Sequence, residues 1–186
     1  MTDLIRATKH ALQEPSLFMR HTSAIRLRRY QRGVCEAVCE SVLEQRGLSF
    51  VVMFPRQSGK NELQAQIETY LLALFCDTPA EIVKVSPTLD PQARTAMRRL
   101  ERTLKKNLYL SHAWKKEAGN IYRVEQARIH FLSGAPESNI VGATASLLLE
   151  VDEAQDVQPD KFDKDIAPMT ASTHATRVSR RSETAP

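Results

Sequence analysis

Phe54–Asn61 reads FPRQSGKN, a short polar loop that closes on a Gly-Lys pair. Residues of these types in this order can hold a phosphate. Gly59 permits a positive φ and close approach of the backbone. Successive backbone N–H groups of Gln57, Ser58 and Gly59 can point at an anion, and Lys60 adds a mobile positive charge for β- and γ-phosphates. The loop departs from the usual phosphate-binding pattern at both ends. Arg56 stands where Gly opens that pattern, and its forked guanidinium can reach a phosphate or a neighbouring acid. Asn61 stands where Ser or Thr follows the Lys, and offers Mg²⁺ an amide oxygen in place of a hydroxyl. A Gly-Lys pair occurs by chance in roughly one chain in two or three of this length, so its meaning depends on context.

That context is a strand before the loop and a helix after it. SFVVMF, ahead of the loop, is a continuous β-rich apolar run of the kind buried on both faces of a parallel sheet. NELQAQIETYLLALFC, behind it, places Leu63, Ile67, Leu71 and Leu74 at helical spacing. The loop therefore ends at a helix N-terminus, where backbone N–H groups lack partners and the helix dipole is positive.

A second stretch supplies carboxylates. LLLEVDEAQD, Leu147 to Asp156, begins as an apolar strand and ends in consecutive acids. If this strand lies beside the one before Lys60, its carboxyl end emerges next to the phosphates, where ligands bind in open α/β sheets. Asp152 would then hold Mg²⁺ and Glu153 would polarise an attacking water. Adjacent side chains on a strand point to opposite faces, so the two acids are expected to take different duties.

Other elements frame these two. Val34, Val38 and Val42 recur every four residues and predict a helix from Arg32 to Arg46, ended by Gly47. EIVKVS predicts a strand. Asp90 as N-cap and Pro91 as first helical residue predict a helix with Ala93, Met97, Leu100 and Leu104 on one face and arginines on the other. NIYRVEQARIHFLS predicts two short strands. The alternation of strands and helices indicates an α/β sheet protein.

The 186 residues fit one domain, and 42% hydrophobic with 26% charged residues is a globular composition. The longest apolar run, YLLALFC, is too short for a membrane span, and the first residues lack the apolar core of a secretion signal. Cys35 and Cys39 sit four apart on the predicted helix, without zinc spacing, and are expected to be buried thiols. The net charge of +4 is uneven: Arg94 to Arg128 holds ten Lys or Arg against three Glu, whereas Glu150 to Asp165 holds seven acids against two Lys. Such asymmetry suits a protein that meets a polyanion on one surface and holds a cation at another.

PRQSGKN after an apolar strand, LLLEVDEAQ about ninety residues on, and RLRRYQR ahead of both resemble the ATPase domain of phage large terminase subunits. The resemblance covers Arg26 to Val178. It implies a P-loop ATPase of the additional-strand, catalytic-glutamate type, with ATP and Mg²⁺ as cofactors. Its implied partners are double-stranded DNA, a portal protein, a small terminase subunit and further copies of itself in a ring. Its implied place is the host cytoplasm, at the procapsid portal. Gln31 matches the adenine-reading glutamine of that family, with Tyr30 beside the base. Lys60 and Arg56 match the loop lysine and arginine, while Asp152 and Glu153 match the metal-holding acid and catalytic glutamate. Arg123 and Arg128 are candidates for a finger reaching a neighbouring subunit. The expected domain is residues 1–178, of which 1–25 flank it. SRRSETAP has no apolar periodicity, so residues 179–186 are expected to be a disordered tail that cuts the strand following the acids, with slow hydrolysis as the consequence. No nuclease domain or nuclease activity is expected. Two other functions use similar parts: a helicase-like ATPase outside packaging, and a nucleotide-binding regulator that does not hydrolyse.

Overall fold

A computed structural model describes residues 13–140 and 142–182. Helix α1 (Pro15–Thr22) and helix α2 (Arg29–Leu43) precede strand β1 (Ser49–Phe54). After the loop come helix α3 (Lys60–Leu74), strand β2 (Ala80–Ser86) and helix α4 (Arg94–Lys106). Strands β3 (Trp114–Glu117), β4 (Ile121–Val124), β5 (Ala127–Ser133) and β6 (Leu148–Val151) follow. A run of short helical turns leads to strand β7 (Thr176–Ser182).

The strands form one sheet in the order β1-β7-β6-β2-β5-β4-β3. β1, β7, β6, β2 and β5 are parallel, and β4 and β3 add an antiparallel margin. The architecture is thus the expected α/β one, but the acid-bearing strand does not lie beside β1. β7 is inserted between them, so β6 is two places from the loop-bearing strand. β7 also runs past Val178 to Ser182, pairing with all six residues of β1. The strand is therefore not cut where the loss of apolar periodicity suggests. Its alternation is carried by Thr176, Val178 and Arg180, all buried, and an arginine hides that pattern in sequence.

Boundaries shifted for local reasons. α2 begins three residues before the expected Arg32, because the Gln31 side-chain oxygen accepts the Arg28 N–H (3.0 Å) and closes the first turn. Asp90 is extended, as an N-cap should be, but a wide turn over Leu89–Ala93 separates it from α4. β3 has no counterpart among the expected strands: WKKE has little apolar content and is only a margin strand paired with β4.

Two apolar layers cover the sheet. One packs α2, α3 and α4 against it through residues including Val38, Leu63, Ile67, Leu71, Leu100 and Ile82, with Cys35 and Cys39 buried in the same layer. The other packs the loop after β5 and the turns before β7 against Val83, Val85, Leu149 and Val151. Among the described residues no helix is long and apolar enough to cross a membrane.

Beneath α3 the first layer is interrupted by charge. Lys84 of β2 donates to Glu68 of α3 (2.6 Å) and lies 3.4 Å from Glu150 of β6, which in turn accepts from Arg180 of β7 (2.6 Å). Burial pushes the Glu68 carboxyl up to about 8, against the opposing pull of Lys84 and with the support of the Glu150 charge. Arg180 and Lys84 hold Glu150 below the usual carboxylate range despite its burial. Between its ordinary value of 4.5 and about 8, the folded chain keeps a proton on Glu68 that the unfolded chain releases. Stability from this group is therefore present at low pH and falls as pH rises through that window. Replacing Glu68 by Gln removes the loss. Denaturant unfolding at pH 5 and pH 8 should show Glu68→Gln gaining on the wild type with rising pH by about 1 kcal/mol or more, the worth of one pKa unit. A constant gap between the two pH values would contradict the assignment.

Candidate phosphoryl-transfer site

The loop between β1 and α3 takes its shape from two left-handed residues. Gln57 has φ 60° and Gly59 has φ 81°, with Gly59 as the N-cap of α3. A Cβ at 59 would also stand 2.7 Å from Nε2 of Gln31 and displace that amide from its place against the loop. The loop is braced from α2. The Gln31 amide donates to the Ser58 carbonyl (3.1 Å), and the Tyr30 hydroxyl donates to the same oxygen (2.8 Å) while its ring packs edge-on against Phe54. Gln31, matched in sequence to an adenine-reading role, thus has its amide oxygen and nitrogen engaged by backbone. Tyr30 likewise serves the loop through its hydroxyl.

Lys60 opens α3 and its side chain is 10% exposed. Its ammonium donates to Glu153 Oε1 and lies 3.6 Å from Asp152 Oδ1. The two acids do not divide between faces of the sheet as neighbours on a continuing strand would. β6 ends at Val151, the Asp152 N–H still bonds the Val85 carbonyl (2.9 Å), and Glu153 turns left-handed at φ 45°. That turn lets both carboxylates converge on one ammonium. A non-Gly residue in this conformation is uncommon and costs about 1–3 kcal/mol, a strain found at functional sites. Gln155, which sequence inspection did not single out, donates to Glu153 Oε2 (2.8 Å) and fixes the carboxylate plane. It lies in an irregular turn, where no periodic signal could reveal it.

Asp152 Oδ1 and Ser58 Oγ are buried without a hydrogen-bond partner. Orphaned oxygens of this kind are costly unless a ligand completes them. Among the described residues no three His, Cys, Asp or Glu side chains cluster as a self-sufficient metal cage. A cation here would need most of its ligands from water and phosphate, the habit of Mg²⁺. Asn61 and Arg56 are exposed at the loop's open side. Arg123 and Arg128 lie elsewhere: Arg123 pairs with Glu117 (2.5 Å) and Arg128 with Glu81 (3.4 Å), at the end of β2 and β5 remote from Asp152.

No protein-family profile matches the chain, and no curated protein sequence does. Solved structures do. The large terminase of bacteriophage HK97 superposes with a TM-score of 0.75 at 18% identity, over 91% of this chain and 37% of that one. The ATPase domain of the Thermus phage P74-26 large terminase gives 0.65 at 18% identity, over 89% of this chain and 69% of that one. The large terminase of a thermophilic bacteriophage, in complex with ADP, gives 0.60 at 16% identity, over 83% of this chain and 39% of that one. The fold is therefore that of the phage large terminase ATPase domains, and the chain spans little more than a third of the HK97 protein.

A polyphosphate entering the loop must take the Lys60 ammonium from Glu153. Glu153→Gln weakens that competing pair and should tighten ADP binding by about three- to tenfold, or 0.7–1.4 kcal/mol. Calorimetry on the two proteins at equal ionic strength measures it. Unchanged or weaker binding in the variant would show that the Lys60–Glu153 pair does not compete with phosphate.

Proposed function

We propose that this chain binds and hydrolyses ATP as part of a viral DNA-packaging motor. The observation that carries this reading is the convergence of Lys60, Asp152 and Glu153 at the carboxyl ends of β1 and β6. The support from outside the chain is a fold shared with phage large terminases, one of them solved with ADP and, in another crystal, with ATP-gamma-S.

The residues divide the work by position. The backbone N–H groups of Gln57 and Gly59 ahead of α3, with the Lys60 ammonium, cradle the β- and γ-phosphates, and the Ser58 N–H, which donates to the Pro55 carbonyl (3.3 Å), would join them on releasing that bond. Asp152 and Asn61 would hold Mg²⁺, which when bound neutralises charge on the phosphate oxygens. Glu153, its plane set by Gln155, accepts hydrogen bonds from a water and draws its proton during attack on the γ-phosphate. Arg56, exposed on the loop, is placed to meet the outer phosphate oxygens. Gln31 and Tyr30 hold the Ser58 carbonyl and so brace the loop from α2. An adenine contact by Gln31 would require it to release that bond.

Double-stranded DNA is the proposed polyanion. On α4, Met97, Leu100, Thr103 and Leu104 are buried, leaving Arg98, Arg102, Lys105 and Lys106 exposed as one stripe with no ion-paired acid among the described residues. Portal protein, small terminase subunit and a ring of copies of this chain complete the proposed assembly, at the procapsid in the host cytoplasm. β7 separates β1 from β6 as a full strand, so the expectation of slow turnover from a truncated strand is withdrawn.

Two outcomes test the proposal. Lys60→Ala should abolish ATP hydrolysis and lower ADP affinity at least tenfold, since only backbone contacts to phosphate remain; equal affinity by calorimetry sinks the phosphate assignment. Duplex DNA binding should fall steeply with salt and be indifferent to sequence. Replacing Arg98 and Arg102 by Ala should make the slope of log K against log salt shallower by about 2, at roughly 0.9 per lost phosphate contact. An unchanged slope would remove α4 from the DNA path.

A further inference from the structure

Four charged side chains sealed beneath the site have no part in the chemistry assigned so far. Glu68, Lys84, Glu150 and Arg180 are each no more than 2% exposed. Stripping such ions of water costs several kcal/mol apiece before pairing, and apolar side chains of equal volume fill the same space without that cost. Stability alone is a poor reason for the network. Its geometry offers a better one. Glu68 lies two turns beyond Lys60 on α3, and Glu150 lies on β6 two residues before Asp152, which directly follows the last residue of that strand. Lys84 of β2 is opposite Glu150 in the sheet, and Arg180 of β7 is opposite Val52, two residues before the end of β1. The network thus joins the helix that carries the phosphate lysine to the strand that carries the acids through Lys84 of β2, and Arg180 ties that strand in turn to β7, which separates it from β1.

We propose that the Glu68–Lys84–Glu150–Arg180 network is a positioning device that sets the spacing between Lys60 and the Asp152–Glu153 pair. It touches no nucleotide and acts only through α3 and β6; the inference rests on the phosphoryl-transfer role given to those three residues. The hydrogen bonds show which substitutions preserve it. Glu68 Oε1 accepts from Lys84 (2.6 Å), whereas Glu68 Oε2 and Glu150 Oε2 are buried without a hydrogen bond, the latter 3.4 Å from the Lys84 ammonium. A proton carried on Glu68 satisfies both orphaned oxygens at once, as a hydrogen bond from Glu68 to Glu150. A Gln at 68 reproduces both contacts, its carbonyl for Lys84 and its N–H for Glu150. A Leu there reproduces neither, and a Met at 84 removes the cation that Glu68 and Glu150 share.

Glu68→Gln, Glu68→Leu and Lys84→Met are compared with the wild type by amide ¹H–¹⁵N spectra, by the Mg²⁺ dependence of ADP binding and by steady-state ATP hydrolysis. In Lys84→Met and Glu68→Leu, folded by circular dichroism, the amide signals of Lys60 and Asp152 should move. The Mg²⁺ midpoint should rise at least fivefold and kcat fall at least tenfold, with ADP affinity in EDTA no weaker than that of the wild type. Glu68→Gln should stay within about twofold throughout. A folded Lys84→Met that leaves the Lys60 and Asp152 signals and the Mg²⁺ midpoint unmoved overturns the proposal. So does a Glu68→Gln as impaired as Glu68→Leu, a comparison that stands even where Lys84→Met does not fold. Failure of the functional reading looks different: the wild type itself binds no nucleotide, while the amide signals still report whether the network holds Lys60 and Asp152 in place.

Discussion

One ammonium among three elements sets the terms for the rest of the structure. Lys60 reaches both Asp152 and Glu153, although the strand bearing these acids is two places from the strand leading into the loop. For that reach to exist, α3 must start at Lys60, β6 must stop at Val151, and the chain must turn left-handed at Glu153. Each requirement is met by a local device. Gly59 caps the helix in a left-handed conformation that favours glycine, Gln31 and Tyr30 pin the carbonyl before it, and Gln155 holds the carboxylate after the turn.

The buried ion network serves the same spacing from below. Its members sit on α3, β2, β6 and β7, so the elements that carry the site are cross-linked by charge at the level of the core, while apolar packing on either side supplies the burial. Directional, short-range pairs hold register in a way that interchangeable aliphatic side chains do not. A site whose two halves lie far apart in sequence gains from such a constraint.

Local features of this arrangement were legible in the sequence. The strand–loop–helix around Lys60, the apolar run ending in Asp152 and the amphipathic Arg-rich helix each depend on short-range periodicity, and each is present. What was hidden is non-local. The insertion of β7 between β1 and β6 depends on pairing between distant segments, and no spacing in SFVVMF or LLLEV reports it. TRVSRRS reads as polar because the inward residue after Val178 is Arg180, whose burial makes sense only once Glu150 is seen opposite. EIVKVS reads as a strand despite Lys84, but the burial of that lysine likewise makes sense only once Glu68 and Glu150 are seen beside it. The convergence of adjacent acids on one side was missed because period-two alternation assumes that the strand continues, and it ends one residue too soon.

The most direct test of the central claim is a crystal structure of the chain with Mg²⁺ and a non-hydrolysable ATP analogue. The account predicts the Lys60 ammonium transferred from Glu153 to the β- and γ-phosphates, the metal ligated from the Asp152 and Asn61 side, and Glu153 facing a water in line with the γ-phosphorus. Nucleotide bound away from the Gln57–Asn61 loop, or bound there with Lys60 still on Glu153, would contradict it.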